Sequence, residues 1–146
     1  MRHIAPLLLL AGCSFPAQGE APAVDLDYIA FVNDIQPIFE ARCANPACHG
    51  RPERALSTYV PRRFRADPQK VHLDEPLTEQ EMRHNYTAAC ILASETEQPE
   101  DTPLLRKPLA DPEYHGGGAI FSSDRDRDYL TIYSWIAGGE LPGGAP

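Results

Sequence analysis

Cys43-Ala44-Asn45-Pro46-Ala47-Cys48-His49-Gly50 is the stretch on which the reading of this chain turns. Two thiols four residues apart, with an imidazole directly after the second, have the composition of a covalent haem-attachment site. Two sulfurs near one porphyrin edge can add to its two vinyl groups, and the adjoining imidazole can reach the iron. The commoner spacing leaves two residues between the cysteines. Here Asn45-Pro46 supplies a turn that lets the longer segment bulge while both sulfurs still reach one ring. Two other readings of the same residues stay open. A Cys43-Cys48 disulfide would close a small loop in an oxidising compartment, with His49 a bystander. A zinc site could draw on Cys43, Cys48, His49 and Cys90, although no second pair has finger-like spacing.

Upstream, Tyr28, Phe31, Val32 and Ile35 recur at the spacing of one helical face, and Ile38 and Phe39 continue it. Pro37 interrupts the pattern. The expectation is a short first turn ending near Asn33 and a second helix with Asp34 as cap and Pro37 in its first turn, the other form being one kinked helix over 27–42. Either way the face holding Ile35, Ile38 and Phe39 leads Cys43 out toward a pocket.

Downstream, residues 51–76 mix arginine, proline and isolated apolar side chains without a sustained period, which predicts a loop with one or two short extended pieces. Arg51, Arg54, Arg62, Arg63, Arg65 and Lys70 crowd this run, as a solvated basic loop or as partners for haem propionates or an acidic protein. Thr78-x-x-Glu81 is a capping box opening an amphipathic helix that ends near Ser94, with Cys90 on its apolar face as a small buried hydrophobe. At the far end Tyr129, Ile132, Tyr133 and Ile136 mark a closing helix capped by Ser122 or Ser123 and stopped by Gly138-Gly139.

Fifteen prolines and ten glycines in 146 residues favour long irregular connections, and this length suits a single domain with one modest core. A formal charge of −8 argues against general nucleic-acid binding, which needs a basic face to neutralise phosphates. No nucleophile, base and orienting group stand at convincing spacing, so the chain reads as an electron carrier, or as the electron-accepting accessory of an oxidoreductase, and not as an enzyme itself.

Residues 1–12 have the layout of a secretory signal: a basic start, a short apolar run and a small-residue end. Nine apolar residues at ~1.5 Å each span about half of a ~30 Å hydrocarbon core, too little for a membrane-spanning helix. Leu10-Ala11-Gly12-Cys13 resembles the lipobox of bacterial lipoproteins, which implies that Cys13 becomes a lipidated N-terminus. Ser14 after it is compatible with the outer membrane. Residues 13–24 then read as a flexible tether and 25–146 as the folded domain.

Phe31-x-x-Asp34-Ile35-x-Pro37-Ile38-Phe39, followed by Arg42-Cys43 and Cys48-His49-Gly50, resembles the opening of bacterial cytochrome c-like domains. The wider cysteine spacing is similar to that of multihaem cytochromes of the c3 type. Residues 122–139, with Trp135-Ile136 before the glycines, resemble the closing helix of such domains. The resemblance implies a small all-α fold in which N- and C-terminal helices pack around a covalent haem c amid long loops, crossing near Ile35 to Phe39. It implies Cys43 and Cys48 as attachment points and His49 as an iron ligand. For the sixth ligand the candidates are Met82, His72, His84 and His115. In the family that ligand lies in the loop before the last helix, where this chain has Tyr114-His115-Gly116-Gly117-Gly118, so the resemblance implies His49/His115 coordination. The implied function is a periplasmic, lipid-anchored monohaem cytochrome passing electrons between redox proteins of the cell envelope. A haem-free lipoprotein with a Cys43-Cys48 disulfide, serving as an envelope binding module, is the alternative. A haem sensor or peroxidase-like protein with an open sixth position is a third.

Overall fold

A computed structural model describes residues 25–94, 97–109 and 115–138; the signal segment, Cys13 and the tether lie outside them. The described residues form helices and turns with no strand, and the isolated bridge between Val60 and Phe64 is their nearest approach to one. None of their helices is long and apolar enough to cross a membrane.

The first helix, α1, is continuous, which corrects the two-piece expectation. It runs through α-helical Tyr28–Ala30 and Gln36–Ile38, alternating with π-helical Phe31–Ile35 and Phe39–Cys43. Asp27 caps it by accepting from the Ala30 amide at 2.9 Å. The wider π turn before Pro37 relaxes the helix at the point where the proline has no N–H to give and its ring presses on the preceding turn. The chain absorbs the proline there instead of breaking.

A turn of 3₁₀ helix, Pro68–His72, lies in the long connection that follows. Helix α2, Glu79–Ala93, starts with the capping box: Glu81 N–H donates to Thr78 Oγ1, and Thr78 N–H donates to Glu81 Oε2 at 2.9 Å. The short α3, Pro103–Arg106, buries Leu104 and Leu105. Helix α4, Arg127–Ile136, is capped by Asp126, whose side chain accepts from the Asp128 amide at 3.0 Å. Ser123 does not cap it, because its hydroxyl accepts from Arg125 N–H in the turn before the helix.

Helices α1 and α4 run antiparallel. At one end Trp135 Nε1–H donates to the Asp27 carbonyl at 2.9 Å, and at the other Arg42 Nε–H donates to Asp128 Oδ2 at 2.8 Å. Phe31 and Trp135 meet between them with ring centroids 5.6 Å apart. The helices touch along Phe31–Ile35, about one turn before the crossing the resemblance implies. Phe31, Phe39 and Phe121 are fully buried, and each fully buried side chain of this size contributes about 1.5–3 kcal/mol. Cys90 lies in this core cluster, where burial raises its thiol pKa.

Buried polar groups fasten the irregular middle to the helices. Asn85 on α2 accepts from the Tyr59 amide at 2.8 Å and donates to the Tyr59 carbonyl at 2.8 Å and to Gln36 Oε1 at 3.0 Å. It thereby serves the extended segment as a neighbouring strand would, and holds the chain that follows the cysteine loop.

Candidate functional site

Cys43 is the last residue of α1, and the loop behind it is knit by its own backbone. The Cys48 and Gly50 amides donate to the Asn45 carbonyl at 2.8 and 3.0 Å, and the Ala47 amide donates to the Asn45 side chain at 2.9 Å. This turn takes up the two additional residues between the cysteines, as Asn45-Pro46 led one to expect. Gly50 is buried against the turn; a Cβ there would collide with the Ala44 carbonyl oxygen and stand 2.9 Å from its carbon.

Cys43 and Cys48 are both free thiols, and both line a cavity of about 260 Å³. Its remaining wall is mostly apolar, with Phe39 from α1, Leu104 from α3, Phe121 from the loop before α4 and Ile132 from α4. Burial pushes the Cys43 thiol up to about 12, outweighing the nearby Arg42 charge, so at neutral pH it is S–H.

Two histidines complete the wall. His49 Nδ1–H donates to the Leu56 carbonyl at 2.7 Å, and His115 Nδ1–H donates to the Gly118 carbonyl at 2.6 Å. A carbonyl oxygen only accepts, so each Nδ1 carries the hydrogen, and in the neutral ring Nε2 keeps its lone pair. Neither Nε2 has a hydrogen-bond partner among the described residues. Burial, then the His115, Arg54 and Lys107 charges, lowers the His49 pKa against the opposing effect of the Leu56 bond, which favours the neutral ligating form. The two ring centroids are 6.1 Å apart with their planes 11° from parallel.

His115 belongs to a loop whose base is closed by the Pro108 carbonyl, which accepts from the Ile120 and Phe121 amides at 2.8 and 2.9 Å. Gly117 lets the imidazole lie against the loop: a Cβ there would stand 3.1 Å from His115 Cε1. The other candidates for a sixth ligand are elsewhere. His84 hydrogen-bonds through Nε2 to the Ser57 carbonyl at 3.1 Å, Met82 packs on the core cluster and His72 is exposed in the 3₁₀ turn. Cys90 does not line the cavity, and no group of three or more His, Cys, Asp and Glu side chains among the described residues is placed to hold a metal ion.

Of the six basic residues singled out after the motif, only Arg54 lines the cavity. Arg62 pairs with Asp74, Arg63 donates to the Glu40 carbonyl at 2.7 Å, Lys70 lies 3.6 Å from Glu75 and Arg65 is buried on Glu81. Lys107, which sequence reasoning missed, lies at the cavity instead. Its only signal is its place just after the buried Leu104-Leu105 pair, where a side chain on a short helix turns toward a rim. The site thus gathers two thiols, two imidazoles each with one nitrogen available, an apolar wall and three cations, Arg42, Arg54 and Lys107. No protein-family model, curated protein or solved structure matches this chain.

Proposed function

We propose that this chain is a c-type monohaem cytochrome of the bacterial cell envelope, lipid-anchored through Cys13 and carrying electrons between redox proteins. The observation that carries the reading is the His49/His115 pair facing the cavity that both thiols line. His49 and His115 would hold the iron through Nε2, and the 6.1 Å between their ring centroids, wider than face-to-face contact of flat rings, leaves room for a metal ion. Each Nδ1–H bound to a backbone carbonyl is the outer-shell arrangement that fixes a metal-ligating histidine.

The haem, when bound, supplies an iron that stores one electron. This chain's residues do the rest. Cys43 and Cys48 would hold the haem covalently, each thiol adding across one vinyl group with sulfur to one carbon and hydrogen to the other. Leu56 and Gly118 carbonyls set the orientation of the two imidazoles. Phe39, Leu104, Phe121 and Ile132 keep water from one face of the cavity. Two histidine ligands in place of methionine and histidine favour a low reduction potential. The antiparallel α1/α4 contact supports a cytochrome c-like fold, in which the first and last helices brace the haem pocket.

Against the disulfide alternative stand the two sulfurs themselves, which are free thiols that both line one cavity. The experiment is export from a host with cytochrome c maturation machinery. A red protein whose pyridine haemochrome is of the c type, with covalent haem and acyl groups both present in the mass, is the expected result. A colourless chain lighter by two hydrogens supports the disulfide module. His115→Ala should replace the low-spin spectrum by one that responds to carbon monoxide when reduced; an unaltered spectrum removes His115 from the iron.

A further inference from the structure

The cavity has a charge that its chain does not share. The formal charge of the protein is −8, yet among the described residues the charged side chains lining the cavity are Arg42, Arg54 and Lys107, all cationic. Arg42 is already committed, at 2.8 Å from Asp128 and 3.6 Å from Asp126. Arg54 and Lys107 have no carboxylate or hydrogen-bond partner for their side chains among the described residues. They reach the cavity from separate segments, one from the loop after the cysteines and the other from the residue that follows α3. Both are close enough to His49 to act on its ionisation.

We infer that Arg54 and Lys107 form a two-point carboxylate site at the mouth of the cavity, each cation holding one acidic group of a flat apolar ligand. For the ligand's identity the inference rests on the haem reading, in which the two propionates occupy these positions. An apolar wall alone would accept any greasy molecule of suitable size. Two unpaired cations at its border select a dianion and fix which way round it lies. The apolar stems of both side chains can follow the wall while their heads stay hydrated until a carboxylate replaces that water.

The test compares the full-length haem-loaded protein with Arg54→Gln/Lys107→Gln and with Arg54→Lys/Lys107→Arg. Removing two cations leaves the propionates unshielded and favours the ferric state. The Gln pair is therefore expected to lower the midpoint potential by about tenfold in the reduced-to-oxidised ratio, ~59 mV for a one-electron couple. The charge-conserving pair should keep the parent potential. A fully haem-loaded Gln pair with an unchanged potential overturns the inference. If the exported chain carries no haem, the haem reading fails and the carboxylate site is tested directly on that chain by titration with protoporphyrin IX and with its dimethyl ester. The free acid should then bind the parent at least tenfold more tightly than the Gln pair, and the ester should bind both alike. Equal binding of the free acid to both, or none to the parent, overturns the site.

Discussion

Arg54 and Arg65 belong to one arginine-rich run, and the fold gives them opposite fates. The Arg65 side chain is wholly buried, donates from Nε and Nη2 to the two Glu81 carboxylate oxygens at 3.0 and 2.9 Å, and gives further N–H groups to the Glu75 and Pro76 carbonyls at 3.1 Å. Glu81 in turn accepts from the Ala66 and Thr78 amides. Every strong hydrogen-bonding demand of that pair is met within the protein. Arg54 is exposed beside an apolar cavity and has no such partner among the described residues. Charge density in a sequence therefore says little about role; whether the fold satisfies the charge says much more. A satisfied buried pair serves the fold, and unsatisfied cations beside an apolar hollow are available to something from outside.

The largest effect should come from breaking the satisfied side. Arg65→Met leaves the Glu81 carboxylate buried without its counter-ion and is expected to cost about 3–5 kcal/mol in urea unfolding. Arg54→Met, at an exposed position, should cost about 0.5 kcal/mol or less. Similar losses for the two variants would erase the distinction between the regions.

Acid should attack the same pair more gently. Burial alone would raise the Glu81 pKa, but Arg65 and the Thr78 and Ala66 amides reverse this and bring it down to about 2, from an ordinary value of 4.5. A depressed folded-state pKa stabilises the protein above the unfolded value, and that contribution disappears as pH falls from about 4.5 toward about 2. The loss should be on the order of 2–3 kcal/mol. Denaturant midpoints measured across this window should flatten in Glu81→Gln; an equal slope in parent and variant would assign acid sensitivity to other carboxylates.

Glycines sharpen the comparison between the closed cysteine loop and the open histidine loop. Gly50→Ala meets the Ala44 carbonyl, a backbone group that cannot swing aside, and should cost about 1–3 kcal/mol. Gly116→Ala has open space and no positive φ, so it should be neutral or stabilising by about 0.4–1 kcal/mol. Thermal unfolding of the pair reads the difference. Equal costs would mean that the cysteine loop relaxes around the added methyl.

What could be read from the sequence follows from which signals are local. The capping box at Thr78, the apolar face of α4 and the turn at Asn45-Pro46 are written in neighbouring residues, and the structure has all three. A continuous α1 was one of two forms open in the sequence and the choice between them was not legible, because proline and the asparagine-aspartate pair before it argue locally for a break while the π turn that accommodates Pro37 has no sequence marker. At the site, Cys43, Cys48, His49 and His115 were legible as residue types, and their convergence on one cavity required the fold. Lys107 was not, since its meaning lies in where α3 ends. The buried Gln36–Asn85 link and the Arg65–Glu81 pair join residues 49 and 16 positions apart, beyond any local pattern. A polar residue at a core register was the available clue: Glu81, Asn85, Ala88 and Ala89 share one face of α2 and all are buried.

Thr58 is the exception on the satisfied side, and it gives the smallest and sharpest effect. Its side chain is wholly buried and its hydroxyl finds no hydrogen-bond partner among the described residues, while its amide donates to the His49 carbonyl at 2.8 Å. A buried hydroxyl without a partner carries its desolvation cost uncompensated. Valine keeps the branched shape and removes that cost, so Thr58→Val is expected to stabilise the protein by up to about 1 kcal/mol without altering the backbone bond that steadies His49. Destabilisation by Thr58→Val would mean that the hydroxyl is hydrogen-bonded in solution and belongs with the satisfied polar groups of the scaffold.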